Sequence, residues 1–261
     1  MRWTPGNESA DIEDRRGSSG GFGFGGAPLG IGGVIVLLVL SLLFKRNFFA
    51  LFDSSQQPTT TRAVAESPQE KQEVQFVSFV LDDAQNTWAQ ILGPQYRHAK
   101  LVLFRDAIQS ACGLAQTASG PFYCPSDEKI YLDLGFFEEL RDKFGAQGDF
   151  AQAYVIAHEL GHHVQKLTGT NMREGVPLEL QADCYAGIWG HSTAQRNILE
   201  GGDVDEGLNA AASVGDDRIQ RMSGRAVNPE TFTHGSAKQR SYWFKRGLDS
   251  GRPEDCDTSH P

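Results

Sequence analysis

Cysteine is scarce: the chain has four in 261 residues, and Cys112, Cys124, Cys184 and Cys256 form no C-x-x-C pair. That excludes a zinc ribbon and a thioredoxin-like redox motif, both of which need such pairs. Buried thiols or disulfides remain, and composition does not choose among the possible connectivities. Cationic residues are also in deficit, with 24 Lys and Arg against 33 Asp and Glu and a net charge of -9. Nucleic-acid binding needs clustered cations to neutralise phosphates, so it is excluded. Internal repeats are absent. Long apolar runs are missing except for one.

That run is 29–44, which holds no charged residue and centres on Val34-Ile35-Val36-Leu37-Leu38-Val39-Leu40. A bilayer needs about 20 apolar residues. The apolar character resumes at Phe48-Phe49-Ala50-Leu51-Phe52, and Lys45 and Arg46 can snorkel to the headgroups. Residues 29–52 are therefore expected to form one transmembrane anchor. A cleaved signal peptide fits less well, because no small-x-small site follows and the polar leader is long. Arg15 and Arg16 precede the segment while Lys45 and Arg46 follow it, so charge barely orients it.

Residues 1–28, charged and then glycine-rich, are expected to be disordered, and 53–75, with Ser54-Ser55-Gln56-Gln57-Pro58-Thr59-Thr60-Thr61, to be a flexible linker. Residues 76–261 form the folded domain, large enough to bury a core without an obligatory metal.

In that domain 76–92 has apolar residues at intervals of three and four, which predicts an amphipathic helix, and Lys100-Leu101-Val102-Leu103-Phe104 predicts a strand. Pro121-Phe122-Tyr123-Cys124 and Lys129-Ile130-Tyr131-Leu132-Asp133 flank the turn-like Pro125-Ser126-Asp127-Glu128 and predict a hairpin. Helices follow from Phe136: one over 150–167, ended by Gly169, and another opening at Pro177.

The first of these helices carries His158-Glu159-Leu160-Gly161-His162. His158 and His162 are one turn apart on one face, so two imidazole nitrogens can converge on one ion. Glu159 lies about 100° around the helix, beside the ion, where it can take a proton from water. With seven histidines in 261 residues, chance yields such a match only about 0.01 times.

Catalytic zinc takes three protein ligands and keeps an open position. Glu179 in Leu178-Glu179-Leu180-Gln181-Ala182-Asp183 supplies the third, and Asp183, one turn on, can accept the free ring N–H of a ligating histidine. Two acids held against a helix without such partners would be costly. One Zn2+ per chain is expected, with His158, His162 and Glu179 as ligands and Glu159 as general base.

His158-Glu159-Leu160-Gly161-His162-His163 with the later Glu179 and Asp183 resembles the gluzincin pattern of H-E-x-x-H and E-x-x-x-D. Gly120-Pro121-Phe122-Tyr123-Cys124-Pro125, Tyr131-Leu132-Asp133, Ala153-Tyr154-Val155-Ile156-Ala157 and Thr233-His234-Gly235-Ser236 extend a resemblance to the bacterial neutral zinc metallopeptidase family of the YpfJ type. It runs from the glycine-rich leader to the end of the chain and departs at no ligand position.

The resemblance implies an α+β, zincin-like domain, mostly helical with a short sheet, in which a strand beside the active-site helix pairs with an extended peptide. Lys129, Ile130, Tyr131, Leu132 and Asp133 are the candidate strand. It also implies a single-pass protein of the bacterial cytoplasmic membrane with its catalytic domain on the outer side. That placement favours disulfides pairing Cys112 with Cys124 and Cys184 with Cys256.

The expected activity is hydrolysis of a peptide or protein substrate. A donor for the developing oxyanion is still needed, and His234 is the first candidate, with Tyr185, Tyr154 and Arg240 behind it. A structural role for His234, bonded to backbone, competes with the catalytic one. His163 is expected beside the ligands or exposed, while His98, His191 and His260 carry no argument. Two other functions remain: an inactive membrane-tethered zinc-binding adaptor, against which the intact Glu159 speaks, and a zinc amidase acting on a non-protein bond.

Overall fold

The structure, a computed structural model, describes residues 1–17, 66–117, 120–170 and 175–259. The expected anchor at 29–52 and most of the linker lie outside them. Among the described residues no helix is long and apolar enough to cross a membrane.

The leader departs from expectation at once. Residues Met1–Arg15 belong to the same compact unit as Glu66–Pro261, and β1 (Ile12–Asp14) pairs in parallel with β2 (Lys100–Phe104). Trp3 packs edge-on against Phe76 at 5.2 Å. Gln85, fully buried, donates to Asp11 at 2.9 Å and accepts from the Ala99 amide at 2.7 Å. Lys100 Nζ reaches Asp11 at 2.7 Å. The charges that suggested disorder are partners for the domain.

The β1–β2 pairing brings Ile12–Asp14 and Lys100–Phe104 into one sheet.

The domain also begins earlier than residue 76. Helix α1 (Pro68–Leu92) starts at a capping box, in which the Ser67 side chain accepts from the Glu70 amide and the Glu70 side chain from the Ser67 amide, with Pro68 in the first turn. That signature satisfies two of the orphan donors of a helix start. Val74, Val77, Leu81, Ala84 and Trp88, at intervals of three and four, form its buried stripe.

The remaining strands are β3 (Ala107–Ser110) and β4 (Gly113–Gln116), an antiparallel pair, and β5 (Phe122–Cys124) and β6 (Lys129–Asp133), the expected hairpin. The main sheet has the order β1-β2-β6-β5. The helices that follow are α2 (Gly135–Asp142), α3 (Asp149–Thr168), α4 (Val176–Gln195), α5 (Asp203–Ser213), α6 (Asp216–Met222) and α7 (Ala237–Ser250). Gly169, at φ 67°, ends α3, and Pro177 sits in the first turn of α4.

Two close approaches bring the helices together. A methyl group on Gly161 of α3 would lie 3.0 Å from the Ala182 carbonyl of α4. One on Gly247 of α7 would lie 1.9 Å from the Cys184 carbonyl. Backbone thus meets backbone where α3, α4 and α7 cross, and Phe150, Tyr154, Trp189 and Phe244 fill the space between, all buried. Both disulfides form as the family resemblance implied: Cys112–Cys124 ties the β3–β4 turn to the end of β5, and Cys184–Cys256 ties α4 to the tail.

Candidate metal centre

The close contact at Gly161 places the H-E-x-x-H turn of α3 against the first turns of α4. His158 Nε2 lies 3.2 Å from Glu179 Oε2, and His162 Nε2 lies 3.5 Å from Glu179 Oε1. The His158 and His162 rings are nearly perpendicular, with centroids 4.9 Å apart. Tetrahedral zinc at the usual bond lengths sets its ligand atoms about 3.4 Å apart. One atom from each of the three residues falls within a 4.8 Å cluster, so the donor set fits the ion in chemistry and in size.

Both Nδ1 atoms have partners of their own, while the Nε2 atoms face Glu179. His158 Nδ1 is 2.8 Å from Asp183 Oδ1, the role expected for Asp183. Asp183 is fully buried. It accepts from the Tyr154 hydroxyl and, at 2.8 and 2.9 Å, from Arg240. Burial alone would raise its pKa, but Arg240 and His158 hold it below the usual range. His162 Nδ1 is 2.9 Å from Gln165 Oε1, a partner the sequence reading missed although Gln165 stands one turn beyond His162.

In the metal-free site desolvation works against the His158 imidazolium, yet Asp183 and Glu179 push its pKa up to about 9. His162 is raised against burial by Glu179. Glu179 is held well below the ordinary carboxylate range by the two histidines, although burial opposes it. Glu159, buried beside them, is pushed up by desolvation, with His158 and His162 pulling the other way. Its carboxylate therefore has raised proton affinity, the property of a base working near neutrality.

The centre opens into a cleft of about 680 Å3 whose lining includes Phe122, Tyr123, Pro125, Leu178, Ile219 and His234. Here the strand assignment is corrected. Lys129, Ile130, Tyr131, Leu132 and Asp133 form β6, which pairs with β2 on one side and β5 on the other. β2 covers its whole length and β5 covers Lys129–Tyr131, so those three residues have no free edge for a peptide. The edge of the sheet at the cleft is β5.

The oxyanion candidates also separate. Tyr185 packs edge-on against Trp88 at 5.0 Å, away from the cleft lining. Tyr154 and Arg240 are committed to Asp183. His234 is half exposed in the cleft lining. Its loop is pinned by Asp216 Oδ2, which accepts from the amides of Thr233, His234 and Gly235 at 2.8, 2.6 and 3.0 Å.

His163 is fully buried, with Nε2 2.7 Å from the Arg97 carbonyl and Nδ1 3.0 Å from the Tyr123 hydroxyl. A carbonyl only accepts, so Nε2 donates and Nδ1 accepts from Tyr123. Burial lowers its pKa, and it locks α3 to β5.

A helix-borne pair of histidines meeting a glutamate from a second helix, with a buried glutamate between them in sequence, is the centre of a zinc-peptidase class of protein. The family model described as "Putative neutral zinc metallopeptidase" matches residues 1–259, and the chain belongs to that family. The Escherichia coli (strain K12) uncharacterized protein YpfJ is 45% identical over 99% of this chain and 98% of its own length. The Mycobacterium tuberculosis (strain H37Rv) uncharacterized protein Rv2575 is 44% identical over 66% of this chain and 65% of its own. No solved structure matches the chain.

Proposed function

We propose that this protein hydrolyses peptide bonds, with zinc held by His158, His162 and Glu179 and with Glu159 as general base. The observation that carries the reading is the convergence of His158 Nε2 and His162 Nε2 on the two Glu179 oxygens, at 3.2 and 3.5 Å, beside a buried carboxylate whose proton affinity is raised.

When bound, zinc supplies a Lewis acid that acidifies water and polarises a carbonyl. Glu159 takes the proton of the attacking water and passes it to the leaving amine. The β5 edge, with Tyr123 beside Glu159, offers main-chain groups to an extended peptide, which aligns the scissile bond over the ligands. His234, held by Asp216, supplies the hydrogen bond to the oxyanion.

The two disulfides support a working place outside the reducing cytoplasm. Membrane attachment through 29–52 belongs to the same proposal. Incubating the full chain with a peptide library, with and without chelator and beside Glu159→Gln, tests the reading. Cleavage that survives both chelation and the substitution overturns it. Zinc bound one to one without turnover of any peptide favours the adaptor, and turnover of cell-wall amides alone favours the amidase.

A further inference from the structure

His158 and His162 stand in the same motif, but what lies behind them differs in kind. Behind His158 is a carboxylate whose charge Arg240 balances. Behind His162 is an amide. The orientation of that amide is fixed by its surroundings. Gln165 Nε2 lies 2.7 Å from the Leu178 carbonyl and 3.2 Å from Gln181 Oε1. The carbonyl can only accept, so the atom facing it is the NH2 group and the atom facing His162 is the oxygen.

Gln181 is oriented in the same way, because its own Nε2 donates to the Cys256 carbonyl at 3.1 Å, leaving its oxygen for Gln165. Cys256 is in turn fixed to α4 by the disulfide to Cys184. A directional relay therefore runs from the tail through two amides to the ring. With a metal bound, its end state would be a proton on His162 Nδ1 and a lone pair on Nε2, the atom that faces Glu179.

We propose that Gln165 is the positioning residue for His162: its oxygen fixes the ring tautomer and rotation, and its NH2 ties the ring to Leu178, the residue before the third ligand. The proposal rests on the zinc reading of the site. Gln165 is only 4% exposed, so solvent has little access to these bonds. Its neutrality also matters. Zinc with Glu179 and an ionised Glu159 would sum to no net charge, and Asp183 is offset by Arg240. A carboxylate behind His162 would add an unbalanced negative charge, whereas an amide orients the ring without adding one.

The test measures zinc dissociation constants by chelator competition on the wild-type chain, Gln165→Met and Gln165→Glu, with urea unfolding of the metal-free forms alongside. Both substitutions remove the donor to Leu178, so both lower metal-free stability. Only Met removes the acceptor for His162.

Zinc affinity is expected to fall about 10- to 100-fold in Gln165→Met and to stay within a few-fold of wild type in Gln165→Glu. Gln181→Leu, which leaves Gln165 in place but frees its far end, is expected to fall between them. It keeps the question open to test should Gln165→Met not fold. Equal affinity in Met and wild type, or equal loss in Met and Glu, overturns the proposal. A wild-type chain that binds no zinc instead overturns the zinc reading itself.

Discussion

Arg240 donates to both carboxylate oxygens of Asp183, at 2.8 and 2.9 Å, in a pair from which solvent is almost wholly excluded. Breaking one side of such a pair leaves an uncompensated buried charge, which costs about 3–5 kcal/mol. Arg240→Met should destabilise the domain by that order in urea unfolding. Pairing it with Asp183→Leu should recover part of the loss, because the second change removes the orphaned charge. A double mutant no more stable than Arg240→Met would show that the pair is not what holds α7 to α4.

Glu159 is not in the cluster formed by His158, His162 and Glu179. Glu159→Gln should therefore keep its zinc while kcat/KM drops about 10²- to 10⁴-fold, the range for loss of a general base. Metal content by elemental analysis, read beside peptide turnover, checks both halves. Loss of zinc in the variant would move Glu159 from base to ligand.

The metal-free protein should be less stable in alkali. His158 is raised from 6.5 to about 9, and a raised folded-state value gives stability that is full below 6.5 and lost as pH climbs through about 9. His162 shifts the same way. Glu179 and Asp183 are lowered from 4.5 and 3.8, so their contribution is present above those values and lost in acid. Urea midpoints in chelator should peak between 4.5 and 6.5 and fall by about pH 9.5. Zinc affinity should rise over the same alkaline interval, since both imidazoles must shed a proton to bind. A flat midpoint from about pH 6 to about pH 9.5 would contradict the charge placement.

His163→Leu should orphan the Arg97 carbonyl and the Tyr123 hydroxyl, at about 1–3 kcal/mol for each buried group left without a partner. Because those bonds hold β5 against α3, KM for extended peptides should rise more than kcat falls. Steady-state kinetics on a cleaved library peptide separates the two.

Reduction should cost the tail more than the hairpin. Cys184 and Cys256 are 72 positions apart and Cys112 and Cys124 only 12. Loop closure then favours the first by about 4 kcal/mol against about 3 kcal/mol for the second. Melting temperatures of Cys184→Ala/Cys256→Ala and Cys112→Ala/Cys124→Ala rank them directly.

The sequence by itself determined what depends on neighbours within one helix. The spacing of His158, Glu159 and His162 and that of Glu179 and Asp183 place side chains on faces by helical geometry alone, and the structure brings His158, His162, Glu179 and Asp183 within contact of one another. The Ser67 capping box is equally local, with Ser67, Pro68 and Glu70 legible in the sequence. Tertiary structure decided everything that needs a second element.

The Lys129–Asp133 strand was predicted correctly, but its pairing on both sides makes β5 the edge. Strand order is a long-range choice that no local pattern encodes. The leader reads as disordered in isolation because its acids and its strand find partners only across the domain. Gln165 became the partner of His162 only because Gly161 lets α4 approach closely enough for the Leu178 carbonyl to turn its amide. Helical spacing fixes which groups can point at a metal, and the packing of backbones at glycine fixes what stands behind them.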